Sequence, residues 1–480
     1  MKQNAHNRRT FLKQLGAGAT AATFSASAGC QQSLAKPNVL FIAVDDLRPQ
    51  LGCYGYSRIH SPYIDSLGHS GTLFRRTYCN VPVCGASRAS LLSGLRPTRD
   101  RFVSYYTRLD EHAPGVDSLP KYLREQGYTT ISNGKVFHHL DDSADSWSDP
   151  AWHPPGPWRD YQDPENIRIA DSSDRNAGPP FEALEVGDDS YFDGKIAQKS
   201  VEDLARLSNS ENPFFLAVGF KKPHLPFNAP KKYWDFYEPG QIDLADNPFK
   251  PQNAPDAALH NWGELRAYYG IPETGPLSDE LSRKMIHGYY ACVSYTDAQI
   301  GRLLKTLEQL GLSDNTVVVL WGDHGWNLGE HGLWCKHCNF HTSLWSPMIV
   351  RAPGFRPGVQ TEALTEFVDI YPSICELLGI EHPRHLEGTS FVPLMRDPEQ
   401  EWKEAIFSRF YDGNSVRTDR YLYTEWRDQR GDRAARMLYD HHKDPKENIN
   451  ISENLDQQTT VLEMARLLQL GWRAALPPKL

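Results

Sequence analysis

The stretch PNVLFIAVDDLRP, Pro37 to Pro49, settles the architecture. Its apolar run from Val39 to Val44 shows no alternation, and such runs are strands buried on both faces, which belong to parallel sheets covered by helices on each side. The run ends in two adjacent carboxylates, Asp45 and Asp46. Acids at the carboxyl end of a buried strand place a site at the strand tips. The pattern recurs in FFLAVGFKKPHLPF (Phe214 to Phe227) and TVVVLWGDHGWNLGEHG (Thr316 to Gly332), each breaking into residues that carry charge or turn the chain.

Helical periodicity separates these strands, in DSLPKYLREQGY from Asp117, YFDGKIAQKSVEDLARL from Tyr191 and MIHGYYACVSYTDAQIGRLLKTLEQLG from Met285. Alternating strands and helices make an α/β fold with a mainly parallel sheet. The Pro-, Asp- and Trp-rich stretch from Ser143 to Asn176 lacks periodicity and reads as a long surface loop bordering a cleft. After about residue 400 the texture changes to strand-like AIFSRF, VRTDRYLYTEW and AARMLYD, closed by a helix from Val461 to Ala474. This predicts a small antiparallel sheet packed with one helix. The expected division is a targeting segment over 1–35, a catalytic α/β domain over 36–400 and an α+β subdomain over 401–480.

With 480 residues, 40% of them hydrophobic, the chain can bury an ordinary core. A net charge of −9 excludes a nucleic-acid-coating surface, so any anionic substrate has to be met by a local cluster of cations. Arg8 and Arg9, just before Phe11, Leu12 and a weakly apolar Ala/Gly-rich stretch, read as a twin-arginine export signal. SASAGC resembles a bacterial lipoprotein cleavage box, with Ser27 at the usual aliphatic position, which makes Cys30 a lipidation candidate. The leader is too short and interrupted to span a membrane, and no later segment qualifies. The expected location is the periplasm of a bacterium, or its surface or outer membrane as a lipoprotein, after passage through the twin-arginine machinery. Seven cysteines follow Cys30, and an odd number in an exported protein leaves at least one unpaired or chemically converted.

Cys84, in VCGASRASLLSGLRP, stands where a loop enters a helix. Unpaired N–H groups and the helix dipole favour a thiolate or another developing anion there, and Arg88 adds a fixed charge one turn on. Asp45 and Asp46 would face opposite ways in an extended strand, but a bend at its end can bring both onto one cation. Asp323 and His324 end another strand. Carboxylates favour Ca²⁺ or Mg²⁺ whereas imidazole leans towards a transition metal, so the donor set leaves the ion open. Arg88, Lys135 and His138 in NGKVFHH, Lys222 and His224 in KKPH, and Lys336 in WCKHCNF supply the cations that an anion requires. Cys335 and Cys338 lack the second pair of a zinc site and read as a loop feature or a disulfide partner. His331 reads as a pocket residue.

C-G-A-S-R at 84–88 fits the Cys-x-Pro/Ala-x-Arg pattern of type I sulfatases. The segments VLFIAVDDLRPQLGCYG, CGASRASLLSGLRPTRDR, GKVFHH, FFLAVGFKKPHLPF and DHGWNLGEHGLWCKHCNF resemble, in order, those of iduronate-2-sulfatases, and the resemblance runs from about residue 37 to LYDHHKDPKENIN near 450. It implies an alkaline-phosphatase-like sandwich and the oxidation of Cys84 to formylglycine by a formylglycine-generating or radical maturase. It also implies one divalent cation, expected to be Ca²⁺, held by Asp45, Asp46, Asp323, His324 and residue 84. A hydroxyl of the hydrated aldehyde would attack sulfur, its charge stabilised by the cation and Arg88. His224 and Lys336 would grip sulfate oxygens and protonate the leaving oxygen. His138, aided by Lys135, would then take a proton so that sulfate departs.

The implied substrate is a 2-O-sulfated uronic acid, iduronate or glucuronate, of a glycosaminoglycan or algal polysaccharide. Arg101 or Arg99 would meet its carboxylate and Trp326 its ring, with Lys222 and His331 completing the pocket. Ala86 replaces the commoner proline of the tag. Because the twin-arginine route carries folded protein, conversion is expected in the cytoplasm. Two rivals remain at this level. A phosphomonoesterase or phosphodiesterase of the same superfamily would normally use Ser or Thr with two zinc ions, and a non-catalytic glycan-binding lipoprotein would be expected to lose part of the cationic set.

Overall fold

In the computed structural model the described residues are 36–428 and 430–477. The expected export signal with Arg8 and Arg9 and the lipidation candidate Cys30 lie outside them. The large sheet contains β1 (Asn38–Val44), β2 (Thr72–Tyr78), β3 (Thr129–Gly134), β4 (Phe214–Phe220), β5 (Thr316–Gly322), β6 (Trp345–Arg351), β7 (Val359–Thr361) and β8 (Thr365–Glu366). Its order is β7-β2-β6-β5-β1-β4-β3, with β8 also on β2. β3, β4, β1 and β5 run parallel, and β6 is antiparallel to both β5 and β2. The sheet is mainly parallel, as its unbroken apolar strands predict.

Alternate residues of β1 serve different cores. Leu40, Ile42 and Val44 pack with one layer, which includes Ile196, Met285 and Tyr289. Val39, Phe41 and Ala43 pack with the other, which includes Ala86 and Ala89. The helices concerned are α1 (Cys84–Ser93), α2 (Phe192–Leu207) and α3 (Asp279–Gln309). α3 begins six residues before the expected Met285, because the Ser278 hydroxyl accepts from the Leu281 N–H and caps it. The supposed structureless loop also contains a short helix, Pro164–Asp171, where Asp163 accepts from the N–H groups of Glu165 and Asn166.

The C-terminal sheet is β9 (Ala405–Phe410), β10 (Gly413–Thr418), β11 (Tyr421–Arg427) and β12 (Arg433–Asp440), antiparallel in that order. VRTDRYLYTEW is therefore two strands folded about Asp419 and Arg420. The closing helix, α4, spans Gln458–Leu470, and its continuation Trp472–Ala475 is a separate 3-10 turn. This layer is part of the same compact unit as the large sheet. It is fastened by charge as well as by packing: Lys403 Nζ lies 2.9 Å from Glu366 and 2.6 Å from Asp369, and the Ser408 hydroxyl donates to the Cys79 carbonyl. Among the described residues no helix is long and apolar enough to cross a membrane.

Phe41 is wholly buried between Phe215 and Trp321, with ring centres 5.5 and 5.6 Å away. Phe41→Ala should therefore lower stability by about 3–5 kcal/mol. Denaturant unfolding checks this, and a loss below about 1 kcal/mol would mean that the central strand is not the core.

Candidate active site

Parallel register builds the site. Val44 pairs with Gly322, so the next residues, Asp45 and Asp323, emerge side by side at adjacent strand tips. Asp46 takes a left-handed backbone conformation, φ 61°, and its N–H donates to Asp323 Oδ1 at 3.0 Å. Tyr289 supports the bend by donating to the Asp46 carbonyl and accepting from the Arg48 N–H. This is the turn that frees both aspartates from the alternation of a strand.

Arg88, one turn into α1 and fully buried, donates through Nε to Asp323 at 2.9 Å and through Nη2 to Asp45 at 3.3 Å. Its Nη1 donates to the carbonyls of Lys135 and Val136, beyond the end of β3. The Ser87 hydroxyl ties the same turn to the Asp323 carbonyl at 2.6 Å. Gly85 is required by close approach, since a Cβ there would lie 2.6 Å from the Tyr105 carbonyl oxygen. Cys84 is thereby set at the first position of the helix, facing the strand tips.

His324 Nε2 lies 3.3 Å from Cys84 Sγ, and its Nδ1 lies 3.0 Å from the Gly325 carbonyl. Donation at Nδ1 leaves the Nε2 lone pair for a cation or for the group at residue 84. Ligand atoms of Asp45, Cys84, Asp323 and His324 lie within 4.8 Å of one another, as do those of Asp46, Cys84 and His224. Burial and the charge of Asp45 push the Asp46 carboxyl well above the ordinary range, against the pull of Lys336. Three buried carboxylates thus converge where a hard divalent ion would relieve their repulsion, so these residues fit such an ion. Asp45 itself is held well below the ordinary range, because Lys135, His224 and Arg88 overcome its burial.

The thiol behaves differently from the sequence expectation. Burial pushes Cys84 up to about 12, outweighing Lys135 and Lys336. As a plain cysteine it would be a poor nucleophile at neutral pH, whatever the helix dipole contributes. Lys135 pairs with Asp45 at 2.5 Å. Burial, reinforced by Lys135, lowers His138 to about 2, which keeps its ring neutral, and its buried Nδ1 has no partner among the described residues.

Lys336 and His224 meet at a residue that sequence reading passed over. Lys336 Nζ lies 3.1 Å from Asp46 and 2.9 Å from Glu264 Oε1, and His224 Nε2 lies 3.0 Å from the same Glu264 oxygen. Burial opposes ionisation of Glu264, yet Lys336 and His224 hold its carboxyl well below the ordinary range. Glu264 sits in NWGELRAYYG, an irregular stretch with neither periodicity nor a motif to mark it.

Other expected pocket residues lie elsewhere or do other work. Arg101 donates to the Arg96 carbonyl and to Glu387, lining a cavity of about 610 Å³ against the C-terminal layer. Arg99 is exposed. Trp326 is buried beneath Lys336, whose Nζ lies 4.8 Å from the ring centre, so it supports the lysine rather than offering an open wall to a sugar. Lys222 spends its ammonium on the carbonyls of His224 and Pro226. His331 packs on Phe340 and lines a separate cavity of about 660 Å³ with Arg48 and Glu330. The cysteines of the described residues, Cys335 and Cys338 included, are all free thiols, so the disulfide expectation fails. Lys221 was also overlooked: it stands 4.2 Å from the Phe192 ring centre with no ion-pair partner among the described residues, and burial lowers it to about 8.

The family model described as Sulfatase matches residues 37–380 of the chain. The chain belongs to the sulfatase family. A second model, for the C-terminal part of N-sulphoglucosamine sulphohydrolase, matches residues 329–471. The sulfatase is 35% identical to human iduronate 2-sulfatase over 399 residues, which cover 75% of this chain and 72% of that protein. It is 27% identical to an ulvan-active sulfatase of Formosa agariphila over 477 residues, covering 92% and 83%. Among solved structures, a 2-O GAG sulfatase superposes with a TM-score of 0.69 at 25% identity, covering 92% of each chain. The phosphonate monoester hydrolase of Agrobacterium radiobacter shares the fold, with a TM-score of 0.73 at 24% identity over 91% and 95%. Membership makes the chain a sulfuric ester hydrolase and implies a formylglycine and a divalent metal, for which the cluster around Cys84 has fitting residues.

Asp323→Ala removes a candidate cation ligand and one carboxylate from buried Arg88. Elemental analysis should find the bound divalent ion lost, and unfolding should show about 3–5 kcal/mol less stability. A variant that keeps both its ion and its melting temperature would refute this assignment.

Proposed function

We propose that this sulfatase removes the 2-O-sulfate of a uronic acid, iduronate or glucuronate, within a glycosaminoglycan or algal polysaccharide. The observation that carries the reading is Cys84 itself: a buried thiol too weakly acidic to serve as a nucleophile, at a helix entrance ringed by carboxylates and cations. Such a setting suits a precursor better than a reactive cysteine. The names of the human and GAG-acting relatives favour the 2-O-sulfouronate, and the ulvan-active relative favours an algal source.

A sulfate monoester resists attack because its oxygens repel nucleophiles and its leaving group is a poor alkoxide, so charge must be neutralised and the departing oxygen protonated. Formylglycine at position 84 would supply a hydrated aldehyde as nucleophile, and a divalent ion, expected to be Ca²⁺ and held by Asp45, Asp46, Asp323 and His324, would supply positive charge beside it. Arg88 fixes the two acidic strand tips around that residue. Lys336 and His224 hold sulfate oxygens, and His224 delivers the proton to the leaving oxygen. His138, neutral through burial, takes the proton that lets sulfate depart, and Lys135 supports it. Lys221, which follows the end of β4 and has no ion-pair partner among the described residues, meets the uronate carboxylate in place of Arg101. Maturation by a formylglycine-generating or radical enzyme precedes twin-arginine export to the periplasm or cell surface.

Oligosaccharides with defined 2-O-sulfated iduronate or glucuronate should lose sulfate, and hydrolysis in oxygen-18-labelled water should leave the sugar alcohol unlabelled because the S–O bond breaks. Lys221→Ala should raise KM for these substrates about tenfold or more while sparing 4-nitrophenyl sulfate, and Arg101→Ala should affect stability instead. Label in the sugar, or no turnover of any sulfated uronate, contradicts the reading.

A further inference from the structure

Glu264 places a negative charge inside a pocket that would be built to hold an anion. Its Oε1 lies 2.9 Å from Lys336 Nζ and 3.0 Å from His224 Nε2, the two groups assigned to the sulfate oxygens. Its Oε2 is buried and has no hydrogen-bond partner among the described residues, and the His337 ring, kept neutral by burial, has its Nδ1 4.0 Å away. Among the described residues no backbone N–H donates to this carboxylate, whose two close partners come from the separate loops that carry His224 and Lys336. Both partners belong to the proposed anion-binding wall, so the carboxylate that joins the two loops also sets the charge an anion meets there.

We propose that Glu264 determines specificity by ligand charge, admitting monoanionic sulfate esters and disfavouring dianions. The inference rests on the sulfatase reading of the pocket. Repulsion from a fixed charge is proportional to the charge of the ligand and is strong where burial excludes water. A sulfate monoester carries one negative charge, whereas a phosphate monoester above neutral pH carries two. Glu264 therefore opposes the phosphate ester about twice as strongly while leaving the hydrogen-bonding wall the same for both. Free sulfate, the product, is also a dianion, so the same residue that tolerates the ester favours departure of the hydrolysed anion. Lys336 and His224 supply the attraction common to all three ligands, and Glu264 ranks them.

The test measures binding to the full-length protein supplied with Ca²⁺ at pH 8 by isothermal titration calorimetry. The probes are methyl sulfate, methyl phosphate and inorganic sulfate. Native protein should bind methyl sulfate more tightly than either dianion. Glu264→Gln, which keeps the shape and an acceptor for Lys336, should tighten both dianions at least about tenfold more than it tightens methyl sulfate. Glu264→Asp, which keeps the charge, should retain the native order. A parallel change for all three probes in Glu264→Gln, the same change in Glu264→Asp, or a native preference for dianions overturns the proposal. If thermal melting shows that Glu264→Gln does not fold, the native order and Glu264→Asp still decide. Failure to turn over sulfated uronates would count against the proposed activity, whereas these binding ratios count only for or against the role of Glu264.

Discussion

Four separate pieces of chain meet at one guanidinium. Arg88 is wholly buried, bonds the acids that end β1 and β5, and donates through Nη1 to two carbonyls beyond β3. Taking such a charge out of water costs several kcal/mol, which two carboxylates and two carbonyls offset here. Trp321, with its ring centre 5.6 Å from the guanidinium carbon, closes the apolar side. Arg88 thus fixes the distance between strand tips and, through α1, the position of residue 84. Everything assigned to the site depends on that spacing.

Beyond this anchor the pocket divides into two walls. On one, Lys135 and neutral His138 face Asp45; on the other, Lys336 and His224 share Asp46 and Glu264. The division suits a reaction in which a proton leaves from one side and arrives at the other. Glu264 makes the second wall less positive than a list of its basic residues suggests, which is the physical reason to link it with selection among anions.

Much of the fold was legible because buried parallel strands leave an unmistakable mark: NVLFIAV, FFLAVGF and TVVVLWG became β1, β4 and β5 with their polar tips adjacent. The acids and basic residues next to those tips could be read as one cluster for the same reason. Residues reached through irregular chain could not. Glu264, Lys221 and the true partners of Arg101 and Trp326 depend on where loops and neighbouring side chains settle, which no local period encodes. Lys221 and Lys222 are adjacent and identical in type, yet one ammonium is used up on carbonyls and the other is free of any ion pair among the described residues. Helix edges moved where caps, such as Ser278 ahead of α3, outweighed the apolar period.

The most direct measurement is the mass of the peptide containing residue 84, taken from protein purified from its native host and shown in the same preparation to release sulfate. Formylglycine in place of cysteine at that position is the result expected of a buried precursor seated among Asp45, Asp323 and His324. Active protein carrying only the unmodified thiol would contradict the account at its centre.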